Sequence, residues 1–392
     1  MTFTIFVQNL YGIFSNSSTI GTKTVVGKTT YDLQTNGALQ NRIMVTGSNN
    51  IHAAWTMSQE TGVTMGSAFA DRGTGYAFHN GTAWGAAPSA RLEGTTRTGF
   101  GAMAVNGNGN VVYVAHSAAY DIILNEKTTA GWTTTTTPLT TSPKEAIWPD
   151  VATSGDWMYI ICGSADTNSR TNGIRNGYYF SRSNDNGATW TEVIPETANA
   201  VTDPSTVLTT DPFANGLQWQ GNYDNIISVM PGNPKSFLIG GINLHRWNES
   251  STSAPFGQMS QFSSSQSAQT SSFYVHADNH EMVWDNTGRL YVGNDGGIGV
   301  RGTSGFYPAN RGYNVTQFYG IGYSAYGDLI GGAQDNGTQY KDVNNPGTSA
   351  LEFKRVQGGD GFDCEISNLN ANVIFTSVYT GANYRSATKG NS

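Results

Sequence analysis

The sequence is poor in charged residues: only 12% of its 392 residues are charged, about half the usual fraction. The 21 basic residues are outnumbered by 28 acidic ones, which argues against a basic face for nucleic acid. No run of about 18 apolar residues occurs, so no membrane-inserted helix is predicted. Helical periodicity is almost absent as well, which excludes a coiled coil or helical bundle.

Cysteine and targeting signals are also scarce. Cys162 and Cys364 are the only two cysteines, and a disulfide would require their Cα atoms to lie within about 7 Å; two buried thiols is the simpler interpretation. Residues 1–14 are apolar but are interrupted by Gln8 and Asn9 and lack a preceding Lys or Arg, which makes a poor signal peptide. We expect residues 1–392 to be a single domain cut from a longer secreted multidomain protein.

Glycine and aromatic residues are abundant, with 48 Gly, 17 Phe, 19 Tyr and 9 Trp, and they occur in a repeat. Each copy is a polar turn, a short apolar strand, a glycine-containing turn and a second strand. The apolar strands begin near Ile51, Val111, Trp157, Phe237, Leu290, Leu329 and Val373. A mean step of about 54 residues is typical of a four-stranded propeller blade. The sequence therefore predicts an all-β β-propeller with seven four-stranded blades.

Three segments lie outside this period. A strand within residues 22–31 would complete the last blade and close the ring. Residues 195–216 and 248–272 are polar and turn-rich, and we interpret them as long insertions on one face, either functional or merely flexible.

One hairpin carries a full Asp-box, formed by Ser183, Asp185, Gly187, Thr189 and Trp190. The aspartate can accept hydrogen bonds from turn amides, the glycine can take a positive φ, and the indole can pack under the turn. Residues 386–390 look like a second, degraded box. The motif indicates fold rather than function.

Five motifs follow in the second half of the chain: HADNHEM (276–282), LYVGNDGGI (290–298), TQFYGI (316–321), GAQDNGTQ (332–339) and GGDGFDCE (358–365). In that order they resemble the secreted sialidase-like BNR-repeat propeller proteins of Bacteroidetes-type bacteria, many of which use type IX secretion. The resemblance implies a propeller that is secreted or on the cell surface, with Asp-boxes at the blade rims. The turn at residues 294–297 is also similar to that of xyloglucanase-type glycoside hydrolases, in which the aspartate is catalytic.

Two sets of side chains could carry chemistry. His276, Asp278 and His280 alternate, which in a strand would place them on one face to bind substrate or a metal, or simply to form a hydrogen-bonded polar ring. Asp295, Asp335 and Asp360 follow one another at comparable points of successive blades. Carboxylates converging across a cleft suit glycoside hydrolysis, or would call for a cation such as Ca²⁺. The alternative is ordinary Asp-Gly turn chemistry.

Arg42 and Asp71 are further substrate-binding candidates. They are similar in placement to the first arginine and the acid of sialidases, but Met44 stands where that pattern has proline, and no Tyr/Glu nucleophile pair is recognisable. A true sialidase is therefore not expected. Two functions remain: a propeller that binds and hydrolyses a glycan or cell-surface polysaccharide, or a non-catalytic adhesion or protein-interaction propeller. The sequence assigns no metal and no oligomeric state.

Overall fold

The computed structural model describes residues 3–7, 24–31, 33–34, 41–62, 69–137, 146–164, 178–192, 223–247, 256–262, 271–310, 312–313, 315–344 and 353–391. This part of the chain is all-β, with single 3-10 turns at Gly47–Asn49 and Tyr379–Gly381 and no α-helix. Within these residues, no helix is long and apolar enough to cross a membrane. Two compact units are distinguished: Met1–Gln261 with Ala277–Val292, and Phe262–His276 with Gly293–Ser392. All nine tryptophans belong to the first unit.

The first unit contains successive antiparallel meanders. A two-stranded sheet is followed by sheets in the orders β3-β4-β5, β6-β7-β8-β9, β10-β11-β12-β13 and β14-β15-β16-β17. The strands are β1 (Phe3–Val7), β2 (Thr24–Thr29), β3 (Ile43–Thr46), β4 (Asn50–Met57), β5 (Gly73–Asn80), β6 (Thr98–Val105), β7 (Val111–Ser117), β8 (Ile122–Thr128), β9 (Gly131–Thr137), β10 (Ala146–Ser154), β11 (Trp157–Ser164), β12 (Tyr178–Ser183), β13 (Thr191–Glu192), β14 (Ile226–Met230), β15 (Asn233–Gly240), β16 (Leu244–Trp247) and β17 (Phe256–Gln258).

The same pattern continues to the end of the chain. The division between the units falls within the next sheet, β18-β19-β20-β21, after Val292, and the second unit continues with β22-β23-β24-β25 and β26-β27-β28. These strands are β18 (Asn279–Trp284), β19 (Leu290–Asn294), β20 (Gly297–Gly302), β21 (Gly305–Pro308), β22 (Gly320–Tyr323), β23 (Leu329–Ala333), β24 (Gly337–Lys341), β25 (Lys354–Gln357), β26 (Cys364–Ile366), β27 (Ile374–Val378) and β28 (Ala382–Ser386).

The packing of these sheets is that of propeller blades. On β7, one face carries Val111, Tyr113 and Ala115, which pack towards the β3-β4-β5 sheet. The intervening Val112 and Val114 pack towards the β10-β11-β12-β13 sheet. Because successive side chains of a strand point to opposite faces, a strand buried on both faces is a continuous apolar run. First strands of successive meanders also contact one another, as β6 does β10 and β22 does β26. The chain is therefore an all-β protein of the β-propeller class.

The seven repeat copies occupy one equivalent position. They form β4, β7, β11, β15, β19, β23 and β27, each the second strand of its sheet. The repeat thus identified the second strand of every one of these sheets, and the number of blades in a closed ring stays a prediction.

The outlying segments differ from expectation. Thr24–Thr29 pairs with β1, and Val26 packs with Trp55 on the β3-β4-β5 sheet. This strand therefore does not complete the last blade. Phe256–Gln258 is the fourth strand of a sheet, so the region 248–272 is not wholly an insertion. Residues 195–216 lie outside the described residues. Cys162 and Cys364 are buried thiols that form no disulfide.

Candidate functional site

Asp295 lies in the tight turn between β19 and β20. Asn294, the preceding residue, closes this turn, because its Oδ1 accepts a hydrogen bond from Gly296 N at 3.0 Å. A Cβ on Gly296 would lie 2.5 Å from the His276 ring, so only glycine lets the histidine pack against this turn. Asn310 holds the other side, with Oδ1 accepting from Ile298 N at 2.7 Å. The Asp295 side chain therefore sits on a fixed backbone.

Asp335 and Asp360 meet across two successive sheets of the second unit. Asp335 follows β23 with a left-handed φ of 58°, and Asp360 Oδ1 accepts its backbone amide at 3.0 Å. The two segments approach closely because Gly361 faces Gly337: a Cβ on Gly361 would lie 2.4 Å from the Gly337 carbonyl oxygen. Asp360 thus bonds the turn of the neighbouring sheet, not its own.

The third aspartate joins the same cluster. Carboxylate oxygens of Asp295 and Asp335 lie within 4.8 Å of each other, and Asn336 Nδ2 donates to the Asp295 carbonyl at 2.8 Å. The structure therefore brings Asp295, Asp335 and Asp360 together within the second unit. We call these three residues the carboxylate cluster.

An aromatic pair flanks the cluster. The rings of Tyr319 and Phe362 stack in parallel, with centroids 5.2 Å apart and planes 10° apart. The Tyr319 hydroxyl donates to Gln334 Oε1 at 2.5 Å, next to Asp335 in the chain. Tyr319 is nonetheless 54% exposed. One ring face is fixed on Phe362 and the residue remains open to solvent, as a platform for a sugar ring requires.

The cluster suits two kinds of chemistry. Two carboxylate oxygens within 4.8 Å can both reach a hard cation, since Ca²⁺ takes oxygen ligands at about 2.3–2.6 Å. Two carboxyl groups this close can also serve as the acid/base and the nucleophile of a retaining glycoside hydrolase, which lie about 5 Å apart. Asp295 and Asp335 would be the residues that hold such an ion.

His276, Asp278 and His280 do not alternate along one strand. β18 begins at Asn279, and Asp278 has a φ of 61°, which breaks the extended backbone before the strand begins. His276 belongs to the second unit and Asp278 and His280 to the first. The His280 ring packs edge-to-face with Tyr223 at 5.0 Å.

Arg42 and Asp71 both lie in the first unit and hold local chain segments. Arg42 Nη1 donates to the Gln34 carbonyl, and burial lowers the pKa of its guanidinium. The Asp71 carboxylate accepts from the Ser58 hydroxyl and from Gln59 N. Asp71 therefore anchors the chain segment that follows β4.

The Asp-box has the local geometry that its residue types suggest. Asp185 Oδ1 accepts Thr189 N at 2.8 Å, Ser183 Oγ accepts Gly187 N at 2.8 Å, and Gly187 has a φ of 92°. Trp190 Nε1 donates to the Gly187 carbonyl at 3.0 Å. The half-buried ring packs on the core between the β6-β7-β8-β9 and β10-β11-β12-β13 sheets. Hydrogen bonds from Thr189 lower the pKa of Asp185 to about 2. Residues 386–390 repeat this turn, with Gly390 N donating to Ser386 Oγ at 3.0 Å.

Sequence reasoning missed the aromatic pair, although Tyr319 lies within one of the motifs that carry the resemblance. Its signal is a tyrosine immediately before the glycine that begins β22. Phe362 lies within another motif. Nothing in the sequence indicates that the two rings stack, because they precede strands of different sheets.

No family model and no curated protein sequence matches this chain. Among solved structures, the GH74 enzyme of Niastella koreensis is 14% identical with a TM-score of 0.33, covering 90% of this chain and 56% of that one. The extracellular domain of a putative one-component system of B. thetaiotaomicron is 13% identical with a TM-score of 0.38, covering 90% and 40%. Trypanosoma rangeli sialidase, in complex with the inhibitor DANA, is 13% identical with a TM-score of 0.41, covering 74% and 47%. This chain thus spans about half the length of these proteins, and at this similarity no residue role transfers to it.

Proposed function

We propose that the second unit binds glycans at the carboxylate cluster and that Asp295 and Asp335 hydrolyse a glycosidic bond there. The observation that supports this most is the meeting of carboxylates from successive sheets, with oxygens of Asp295 and Asp335 within 4.8 Å. Glycoside hydrolases use two carboxyl groups, one as acid and one as base or nucleophile, and separations near 5 Å belong to retaining enzymes.

The exposed aromatic pair supports a sugar ligand. A pyranose presents an apolar C–H face that stacks on an aromatic ring, while its hydroxyl groups take charged and amide partners. Tyr319 supplies the ring, and Gln334 and Asp335 supply polar groups beside it. Carboxylates beside an exposed tyrosine ring suit a ligand that has both hydroxyl groups and an apolar face, so we favour a glycan over the adhesion alternative.

The setting follows from this proposal. A protein acting on a cell-surface or extracellular polysaccharide is secreted or displayed at the surface. The low charge and aromatic richness of the chain suit that location. We propose no nucleic-acid or membrane-inserted partner.

The test is a polysaccharide screen with three proteins: wild type, Asp335→Asn and Glu365→Gln. Glu365 is an exposed acid of β26 in the same unit, so its variant matches the charge change. We expect wild type and Glu365→Gln to release reducing ends from one polysaccharide and Asp335→Asn to lose at least about 10²-fold in rate. If wild type binds a glycan without hydrolysing it, the protein is a lectin and the catalytic part of the proposal is wrong. If wild type shows no binding and no hydrolysis across the screen, the proposal is refuted.

A further inference from the structure

A sharp turn at the end of β5 places a histidine, an asparagine and a glycine side by side in the first unit. Asn80 is exposed and is the last residue of β5, and its amide donates to the Ala83 carbonyl at 3.1 Å across the turn. Gly81 has a left-handed φ of 84°, and a Cβ on it would lie 2.6 Å from the Ser48 carbonyl oxygen. Only glycine therefore fits at this position.

The backbone amide of Gly81 faces a base. Gly81 N donates to His79 Nδ1 at 3.1 Å. A ring nitrogen that accepts a hydrogen bond carries no proton, so the proton of this neutral imidazole is on Nε2. His79 is buried, and its ring packs edge-to-face on Trp84 at 5.3 Å, which holds Nδ1 towards the glycine. General-base catalysis requires this arrangement of a base within hydrogen-bond reach of the proton that it removes.

The side chain of Asn80 is held as an electrophile. Its Oδ1 accepts from Thr82 N at 3.0 Å and from Ala83 N at 2.9 Å. Two backbone donors on one carbonyl oxygen stabilise the negative charge that develops there when the carbonyl carbon is attacked, as in an oxyanion hole. Asn80 Nδ2, the nitrogen that would leave, forms no hydrogen bond within the described part of the chain.

The four other Asn-Gly pairs among the described residues lack this combination. In three of them the side-chain nitrogen is held by an acceptor: Asn106 on Glu126 Oε1 at 2.7 Å, Asn186 on Asp156 Oδ1 at 2.9 Å and Asn336 on the Asp295 carbonyl at 2.8 Å. In the fourth, Asn108 is exposed, but Gly109 N donates to the Asn106 carbonyl, which is not a base. Within these ranges, base, carbonyl donors and an unheld leaving nitrogen meet at Asn80 alone.

We propose that Asn80 is a self-modification site, at which the chain converts its own asparagine to aspartate and isoaspartate. Gly81 N attacks Asn80 Cγ while its proton passes to His79 Nδ1. The new N–Cγ bond closes a succinimide ring, the Cγ–Nδ2 bond breaks, and ammonia leaves with the proton that His79 returns. Water then opens the ring at either of its two carbonyl carbons.

The products change both the charge and the backbone. Replacing the amide by a carboxylate adds one negative charge to a chain of net charge −7. Opening at the main-chain carbonyl gives isoaspartate, which inserts an extra methylene into the backbone next to Gly81. The close contact between Gly81 and the Ser48 carbonyl leaves no room for that insertion. We therefore expect the turn to loosen, together with the packing of Trp84 on the core of the β3-β4-β5 sheet.

The test is peptide mapping by mass spectrometry after the full chain has been incubated at physiological temperature and neutral pH. The tryptic peptide 73–91 contains Asn80 as its single asparagine and no glutamine, so a deamidation mass shift in it reports on this residue alone. We expect Asn80 to react at least about 10-fold faster than Asn108 in the same sample. His79→Gln keeps a hydrogen-bond acceptor but removes the base, and should slow Asn80 by at least about 10-fold without changing Asn108.

Equal rates at Asn80 and Asn108, or an unchanged Asn80 rate in His79→Gln, would overturn the proposal. Should His79→Gln fail to fold by circular dichroism, wild type in urea supplies a test that needs no variant. Unfolding removes the base and the two carbonyl donors but leaves the sequence intact, so we expect the Asn80 rate to fall to that of Asn108. An Asn80 rate that rises on unfolding would show that the turn protects this residue, and the proposal would be wrong.

Discussion

Removing the Lys389 ammonium group should destabilise the second unit by about 2–4 kcal/mol. Lys389 Nζ lies 3.1 Å from Asp328 Oδ2 and 3.0 Å from Asp342 Oδ2, and the Asp328 side chain is wholly buried. Leaving a buried carboxylate without its ion-pair partner costs about 3–5 kcal/mol. Asp328 keeps hydrogen bonds from the Tyr340 hydroxyl and Val343 N, which reduces the loss.

The pH dependence of this contribution follows from its sign. Burial lowers the pKa of Lys389, but hydrogen bonds from its ammonium to Asp342 and Asp328 outweigh that effect, so the pKa is raised. A raised lysine pKa stabilises the fold fully below its unfolded value of about 10.4, and this stability is lost as pH rises through the folded pKa.

The assay is hydrogen exchange by mass spectrometry on β22–β28 in Lys389→Met. Lys354→Met is the control, since Lys354 on β25 is exposed and its ammonium donates, among the described residues, to Gly390 and Asn391; we expect a change under about 0.5 kcal/mol. Adding Asp328→Asn to Lys389→Met should recover part of the loss, because it removes the stranded charge. A cost below about 0.5 kcal/mol for Lys389→Met, or a double variant with fully additive costs, would refute the reasoning.

Three further outcomes are expected. Burial lowers the pKa of His116 to about 3 and that of His245 to about 4, so below pH 6.5 the unfolded chain binds protons that these imidazoles refuse, at up to about 2.7 kcal/mol per pH unit for two groups. Burial also raises the pKa of Asp150 to about 8 and raises that of Glu281, which acts in the opposite direction and reduces this loss. A urea midpoint that rises from pH 7 to pH 5 would contradict the expected net loss. Gly296→Ala should cost about 1–3 kcal/mol through its clash with His276, whereas Gly358→Ala, with nothing within 4 Å, should leave the melting temperature unchanged. Trp190→Ala should cost about 2–4 kcal/mol, less than full burial would imply because the ring is half-exposed, and Trp190→Phe about 1 kcal/mol for the lost hydrogen bond. Equal melting temperatures for the two variants would be inconsistent with packing of the ring, and an unchanged melting temperature in Trp190→Phe would be inconsistent with the bond.

The sequence predicted the parts of this fold that depend on local chemistry. A strand buried on both faces must be apolar throughout, so each second strand stood out, and the Asp-box turn is fixed by side chains within eight residues. The repeat also predicted comparable positions for Asp295, Asp335 and Asp360. This is right for Asp295 and Asp335, which each follow the second strand of a sheet, but Asp360 lies in the connection between β25 and β26. Edge strands need not be apolar throughout, so the sequence predicts an insertion where Phe256–Gln258 forms a strand.

Features that depend on backbone conformation or on distant partners were not predictable. The alternation of His276, Asp278 and His280 assumed an extended chain, and the left-handed φ of Asp278 is invisible in residue types. The stacking of Tyr319 on Phe362 was likewise unmarked, because the fold brings together residues that precede strands of different sheets.

The confinement of all nine tryptophans to the first unit gives the molecule a built-in spectroscopic division. Under tryptophan-selective excitation, emission reports on the meanders that contain Trp55, Trp157 and Trp190, while the unit with the carboxylate cluster contributes only tyrosine. Tryptophan emission therefore follows the unfolding of the first unit, and tyrosine emission at shorter excitation wavelength adds the second unit without a label.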